Sequence, residues 1–307
     1  MASKSPSDRV DVYTRVTHQI IAAIEAGAGA WEMPWHSPET ALRCPVNAST
    51  GQPYRGVNIL SLWVASHLAG YQENTWATFK QWSDLGHKVC KGEKATVGVF
   101  WKPLERQDEQ PAEGDSTSTD RYWVAKAFPL FNAQQVEGYV PPERPERPEH
   151  QRIEHAETFF AALGADIRHG GGRAFYQPTA DYIQLPPFEA FTSPLDYYST
   201  LAHEATHWTG AKGRLDRDLS GRFGKESYAA EELVAELGAA FLAADLELSV
   251  DARPENAAYV QSWLKVLRAD NRAIFTAASL AQRASDYLHS FQSLKAVPQP
   301  VAFGLEL

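Results

Sequence analysis

The residues with the clearest capacity for chemistry are His203, Glu204 and His207, within Thr200-Leu201-Ala202-His203-Glu204-Ala205-Thr206-His207-Trp208. This run is rich in Ala and Leu and free of internal Pro and Gly, which predicts a helix. On a helix, positions i and i+4 share a face, so the two imidazoles stand one turn apart, about the separation that one tetrahedral Zn²⁺ bridges. Glu204, one residue after the first histidine, can then take a proton from a water at the ion. The pattern alone does not fix that chemistry, because two surface histidines on a helix have the same spacing. A third ligand is needed.

A second helix is predicted over Tyr228 to Leu242, with Leu233, Leu237 and Ala240 on one apolar stripe and Glu232 and Glu236 in register at i, i+4. The stretch after His207 is long enough for a loop to turn the chain back, so Glu232 can complete the site. Glu236 lies in the apolar run Leu233-Val234-Ala235-Glu236-Leu237-Gly238-Ala239-Ala240-Phe241, where an unpaired carboxylate would be costly to bury. It is read as the acceptor for the ring N–H of a ligating histidine, which would fix that ring's tautomer. Glu231 points elsewhere and is the fallback ligand; spacing alone leaves open whether Glu231 or Glu236 takes the place of Glu232. Two histidines from one helix and a glutamate from the next resemble the gluzincin metallopeptidases.

The elements that must position these groups follow from the rest of the chain. With 307 residues, 44% hydrophobic and 22% charged, it is long enough for two globular domains. No run approaches the roughly 20 apolar residues of a membrane span, and the opening residues are polar, so a cytoplasmic protein without a membrane partner is expected. Cys44 and Cys90 are too few for a disulfide scaffold and are expected to be reduced, half-buried thiols. The formal charge of −9 argues against a uniformly basic nucleic-acid binder but leaves room for a local basic groove.

The expected class is α+β in two domains: 1–140, a proline-spaced linker at 141–150, and 151–307. An amphipathic helix is predicted over 8–26, with Val12, Val16, Ile20 and Ile24 at helical spacing. Trp31 to Trp35 is read as a packed loop. Strands are predicted at 95–101 and 121–132, joined by a polar loop at 105–120. In the second domain a helix is predicted at 152–163, then short strands at 166–168, 174–177 and 182–185, with a turn at Gly170-Gly171-Gly172 joining the first two. The resemblance to zincin metallopeptidases implies that the strand Tyr182 to Leu185, just upstream of the motif helix, is the sheet edge that pairs with an extended substrate. The linker permits the two domains to be independent, and the sequence leaves open whether they communicate.

Several motifs in the same order carry a resemblance across nearly the whole chain. Trp31-Glu32-Met33-Pro34-Trp35, Tyr54-Arg55-Gly56-Val57-Asn58, Thr75-Trp76-Ala77-Thr78-Phe79 and Lys88-Val89-Cys90-Lys91-Gly92-Glu93-Lys94 resemble the amino-terminal domain of ArdC-type antirestriction proteins. The histidine motif and Tyr228 to Leu237 resemble that family's carboxy-terminal, zincin-like domain. The resemblance implies a single-stranded DNA-binding domain joined to a metallopeptidase domain, carried by conjugative plasmids and protecting incoming DNA from host restriction. It also implies Zn²⁺, or another divalent ion such as Mn²⁺ or Co²⁺, and a protein substrate that the sequence does not identify. Single strands need a positive track and aromatic platforms. Arg55, Lys88, Lys91 and Lys94 are the candidates for the first, Tyr54 and Trp76 for the second. Two rival readings remain: a DNA-protecting module whose metal is only structural, and a DNA-activated protease that acts on DNA-bound proteins.

Overall fold

The computed structural model describes residues 11–27, 43–106, 120–142, 148–218, 225–248 and 257–292. The segment Trp31 to Trp35, most of the polar loop beyond Arg106 and the centre of the proline-spaced run lie outside these residues.

The first half opens with helix α1 (Val12–Gly27), whose Val16, Ile20 and Ile24 are fully buried, as their spacing predicts. A four-stranded sheet follows, in the order β1-β2-β5-β4, from β1 (Val46–Asn47), β2 (Thr75–Ala77), β4 (Thr96–Arg106) and β5 (Asp120–Asn132). Strands β4 and β5 pair antiparallel from Thr96↔Leu130 to Arg106↔Asp120, a long hairpin. Gly98 is required in it: a Cβ there would lie 2.6 Å from the Phe128 ring. Helix α2 (Val57–Ala69) covers the free edge of β4. The Asn58 side chain imitates a strand, donating to the Val99 carbonyl at 2.8 Å and accepting from its N–H at 2.7 Å, and Ser61 donates to Val97. Those bonds satisfy edge groups that would otherwise recruit another chain. Helix α3 (Phe79–Asp84) and a small β3–β6 pair (Lys88–Val89, Val136–Glu137) close around buried Trp82.

The second half begins with α4 (Glu149–Ala162) and a three-stranded sheet of β7 (Asp166–His169), β8 (Phe175–Gln177) and β9 (Tyr182–Leu185). Gly170-Gly171-Gly172 joins β7 to β8, as expected, but the order is β7-β9-β8, so β9 is central rather than at the edge. Ile183 and Leu185 explain this: both are fully buried against the following helix, and the strand carrying them is held on both sides. Any extended partner must therefore add to β7 or β8. Helices α5 (Pro194–Thr209), α6 (Lys225–Leu246), α7 (Ala257–Ala269) and α8 (Ala273–Ser290) complete the half.

The two halves share one core, which answers the question the linker left open. Trp63 of α2 packs on Phe241 of α6 with ring centroids 5.9 Å apart, and Tyr13 of α1 packs on Phe275 of α8 at 4.7 Å. Polar pins join the seam: Thr17 donates to the Asn271 carbonyl at 2.7 Å, the Gly56 N–H to Gln282 at 3.0 Å, and Arg268 pairs with Glu25. A helix with a continuous apolar stripe buries it wherever a matching face exists, and α1 packs on α2 and β5 of its own half and on α7 of the other.

Candidate metal centre

Helix α5 begins with a full set of start signals. Ser193 accepts the Asp196 N–H at 3.1 Å as N-cap, Pro194 occupies the first turn, and Asp196 places a negative charge at the positive end of the helix dipole. His203 and His207 then lie one turn apart with ring centroids separated by 4.9 Å. Helix α6 crosses them closely because residue 238 is glycine: a Cβ at Gly238 would meet Thr206 at 2.5 Å. Thr206 lies between the two histidines on the face that α6 approaches, so this contact sets the depth at which Glu232 enters.

The result is convergence. His203 Nε2 lies 3.6 Å from Glu232 Oε2, and His207 Nε2 lies 3.5 Å from Glu232 Oε1. These three residues are the one group of ligating side chains among the described residues whose donor atoms gather within 4.8 Å. Glu204 is buried beside them. The other ring nitrogens point to outer carboxylates: His207 Nδ1 is 3.2 Å from Glu231 Oε1, and His203 Nδ1 is 3.8 Å from Glu236 Oε2. Glu236 therefore stands on the side expected of it, at a separation longer than a hydrogen bond. Glu231, the fallback ligand in the sequence, instead holds the His207 ring.

Glu231 is itself held. Arg217, almost fully buried, donates to Glu231 at 2.9 Å and also to the Thr206 carbonyl at 2.6 Å and the Thr209 hydroxyl at 2.8 Å. Burial would raise the Glu231 carboxyl, but His207 and Arg217 outweigh it and hold the group ionised below its ordinary range. Glu232 is held low in the same way, against burial, by the two histidines and by a hydrogen bond from Tyr228. Burial also pushes the His207 imidazole down, yet its bond to Glu231 and the charges of Glu204, Glu232 and Glu231 carry it above its ordinary value. Tyr228, one turn before Glu232, has its hydroxyl 3.4 Å from that of Tyr259; burial and both partners keep it protonated.

Four carboxylates thus surround two imidazoles, with Arg217 answering one of them. Such an excess of buried negative charge is unfavourable unless a cation offsets it. Two imidazole nitrogens and a carboxylate oxygen are a fitting donor set for a divalent ion. Sequence reasoning missed Arg217 and Tyr228; the arginine sits in a loop without periodicity, whereas the i, i+4 step from Tyr228 to Glu232 was visible.

The residues expected to bind DNA are dispersed. Trp76 is 0% exposed, packed among Leu62, Ala65 and Leu130, so its ring has no face for a base; the stacking role expected of it is corrected. Tyr54 is half-buried, its hydroxyl accepts from Asn47 at 3.0 Å, and burial pushes it up to about 12. Arg55 pairs with Asp286 of α8, so its charge serves the seam between the halves. These two line a cavity of about 280 Å³ beside α8, together with Cys44, a free thiol that donates to Asp245 at 3.3 Å. Lys88 and Lys91 are exposed near β3, and Lys94 lines a separate groove.

Residues 10–133 match the N-terminal domain of anti-restriction factor ArdC, and residues 154–280 match a zincin-like metallopeptidase family (MPTase-PolyVal). Fold and site together define a two-domain α+β protein of the zincin-like class. The Antirestriction ArdC protein from plasmid R388 superposes in its metal-free form with a TM-score of 0.78 at 41% identity, covering 93% of this chain and 99% of that one. Its Mn(II)-bound form gives 0.76, also at 41% identity, covering 94% and 100%. An uncharacterised Sinorhizobium fredii protein, y4eC, is 51% identical over 94% of this chain and 95% of its own length. DNA primase TraC of Escherichia coli is 38% identical over 96% of this chain, which corresponds to 28% of the primase. The chain belongs to the ArdC antirestriction family.

Proposed function

We propose that this chain is an antirestriction protein that binds single-stranded DNA and hydrolyses peptide bonds at a divalent metal held by His203, His207 and Glu232. The reading is carried by the approach of both Nε2 atoms to the Glu232 carboxylate, at 3.6 and 3.5 Å, inside a pocket with excess negative charge. Zn²⁺, Mn²⁺ and Co²⁺ all suit the donor set, and Mn(II) is the ion bound in the R388 relative. Such an ion, when bound, polarises a substrate carbonyl and lowers the pKa of water.

The chain's own groups do the rest. Glu204 takes the proton of the attacking water and returns it to the leaving amine. Glu231 and Glu236 orient the two imidazoles, and Arg217 keeps Glu231 ionised. In the first half, a positive local surface including Lys88, Lys91 and Lys94 holds phosphates, so that incoming plasmid DNA in the cytoplasm is shielded from restriction.

Glu204→Gln tests the hydrolytic part. It should lower cleavage of a protein substrate by about 10²–10⁴-fold with metal content unchanged; undiminished cleavage would remove Glu204 from the reaction. A second reading is favoured by α6, which carries Glu232 at one end and packs Phe241 on the first half at the other. Metal at Glu232 would then stabilise the helix that joins the halves, and protection of incoming DNA would survive Glu204→Gln.

A further inference from the structure

We propose that the single strand lies in the groove between the β4–β5 hairpin, the start of α1 and the turn that joins α7 to α8. This rests on the DNA-binding reading above and gives it a surface. The groove encloses about 1140 Å³, and its walls come from both halves: Tyr13 and Arg15 of α1, Trp123, Ala125 and Ala127 of β5, and Arg272 of the turn.

Trp123 is the observation that points to a ligand. It is 63% exposed, the largest exposure of any tryptophan among the described residues. In the antiparallel register Trp123 sits opposite Pro103 and Trp101 opposite Ala125, which makes the two tryptophans diagonal neighbours on one face. Trp101, turned edge-on to Phe275 at 6.3 Å, is less exposed, leaving Trp123 as the more open ring. Ala125 and Ala127 form a low floor beside it, with no side chain to obstruct an incoming base.

The cations are in place for a phosphate track. Arg272 stands 5.1 Å over the Tyr13 ring, which fixes its guanidinium at the groove wall. Arg15 is exposed and borders both this groove and an adjoining one of about 750 Å³ that contains Lys94. Arg272, Arg15 and Lys94 therefore succeed one another along two grooves that meet at Arg15. Two carboxylates also face the larger groove, and both are engaged by backbone: Asp11 accepts the Tyr13 N–H at 2.7 Å, and Asp270 accepts the Arg272 N–H at 2.8 Å. An open ring beside spaced cations matches a strand with unpaired bases; a duplex, whose bases stack on each other, presents no face to Trp123.

The test uses the full chain, labelled oligothymidylate and fluorescence anisotropy across a salt series, with circular dichroism on each variant. Trp123→Ala should weaken binding about tenfold and Trp123→Phe should restore most of it. Arg15→Ala and Arg272→Ala should each lower the slope of log affinity against log salt by about 0.7. Phe79→Ala and Lys80→Ala, on α3, should leave binding unchanged. If the wild-type chain binds and the Trp123 and Arg272 variants match it, the strand runs elsewhere and this proposal fails while the DNA-binding reading stands. If the wild-type chain does not bind, both fail. If Trp123→Ala spares DNA binding and slows protein cleavage, the groove receives polypeptide and the proposal is overturned.

Discussion

The proposed metal centre and the proposed DNA groove use side chains in opposite ways. At the proposed metal centre the histidines and Glu232 are enclosed, and one ring is held through a chain of partners: His207 by Glu231, Glu231 by Arg217, Arg217 by the end of α5. In the groove the open ring of Trp123 and the Arg15 side chain face solvent, and little fixes them before a ligand arrives. A site that must place an ion to a fraction of an ångström needs mutual constraint. A surface that accepts any base sequence gains from adjustable contacts, since stacking and phosphate attraction tolerate small displacements.

If that contrast is right, changes at the metal centre should propagate and changes at the surface should stay local. The largest effect is expected from Glu231→Gln, which removes the charge that orients His207; metal affinity should fall about 10–100-fold, read by chelator competition. Next is Gly238→Ala. The added methyl must displace Thr206 or lift α6, costing about 1–3 kcal/mol in denaturant unfolding and weakening metal binding with it. An unchanged metal affinity in that variant would show that helix spacing does not set the site.

Acid gives a smaller, graded effect. Metal binding needs His207 neutral, and its folded pKa lies above the ordinary 6.5. Affinity should therefore decline with falling pH from a point above 6.5, by about tenfold per unit once His207 is largely protonated. A profile flat through that region would contradict the assignment of His207. The smallest effect is expected from Arg55→Ala: its pair with Asp286 is solvent-exposed on both sides, so unfolding free energy should drop by less than about 1 kcal/mol. Its salt slope for DNA should not change, because Arg55 faces α8.

How far each region could be read from the chain follows from the same contrast. Helical periodicity is local, so His203, His207 and Glu232 could be brought together from spacing, and the long hairpin from its β-branched and aromatic runs. The roles of Glu231 and Arg217 depended on a loop closing over the end of α5, which no short-range pattern encodes. Exposure depended on distant packing. Trp76 and Trp123 look alike in the sequence, yet one lies under α2 and the other on an open strand. The position of β9 was misjudged for a related reason: strand order is set by which strand buries both neighbours' contacts, and β9 alone carries two fully buried aliphatics.

The most direct test of the account is a titration of the metal-stripped full chain with Zn²⁺ and Mn²⁺ by isothermal calorimetry, beside Glu232→Ala and Glu204→Gln. One equivalent should bind to the wild-type chain and to Glu204→Gln, and Glu232→Ala should lose it. Binding that survives in Glu232→Ala at wild-type affinity would mean that the ion sits elsewhere and that the convergence of His203, His207 and Glu232 is not a metal site.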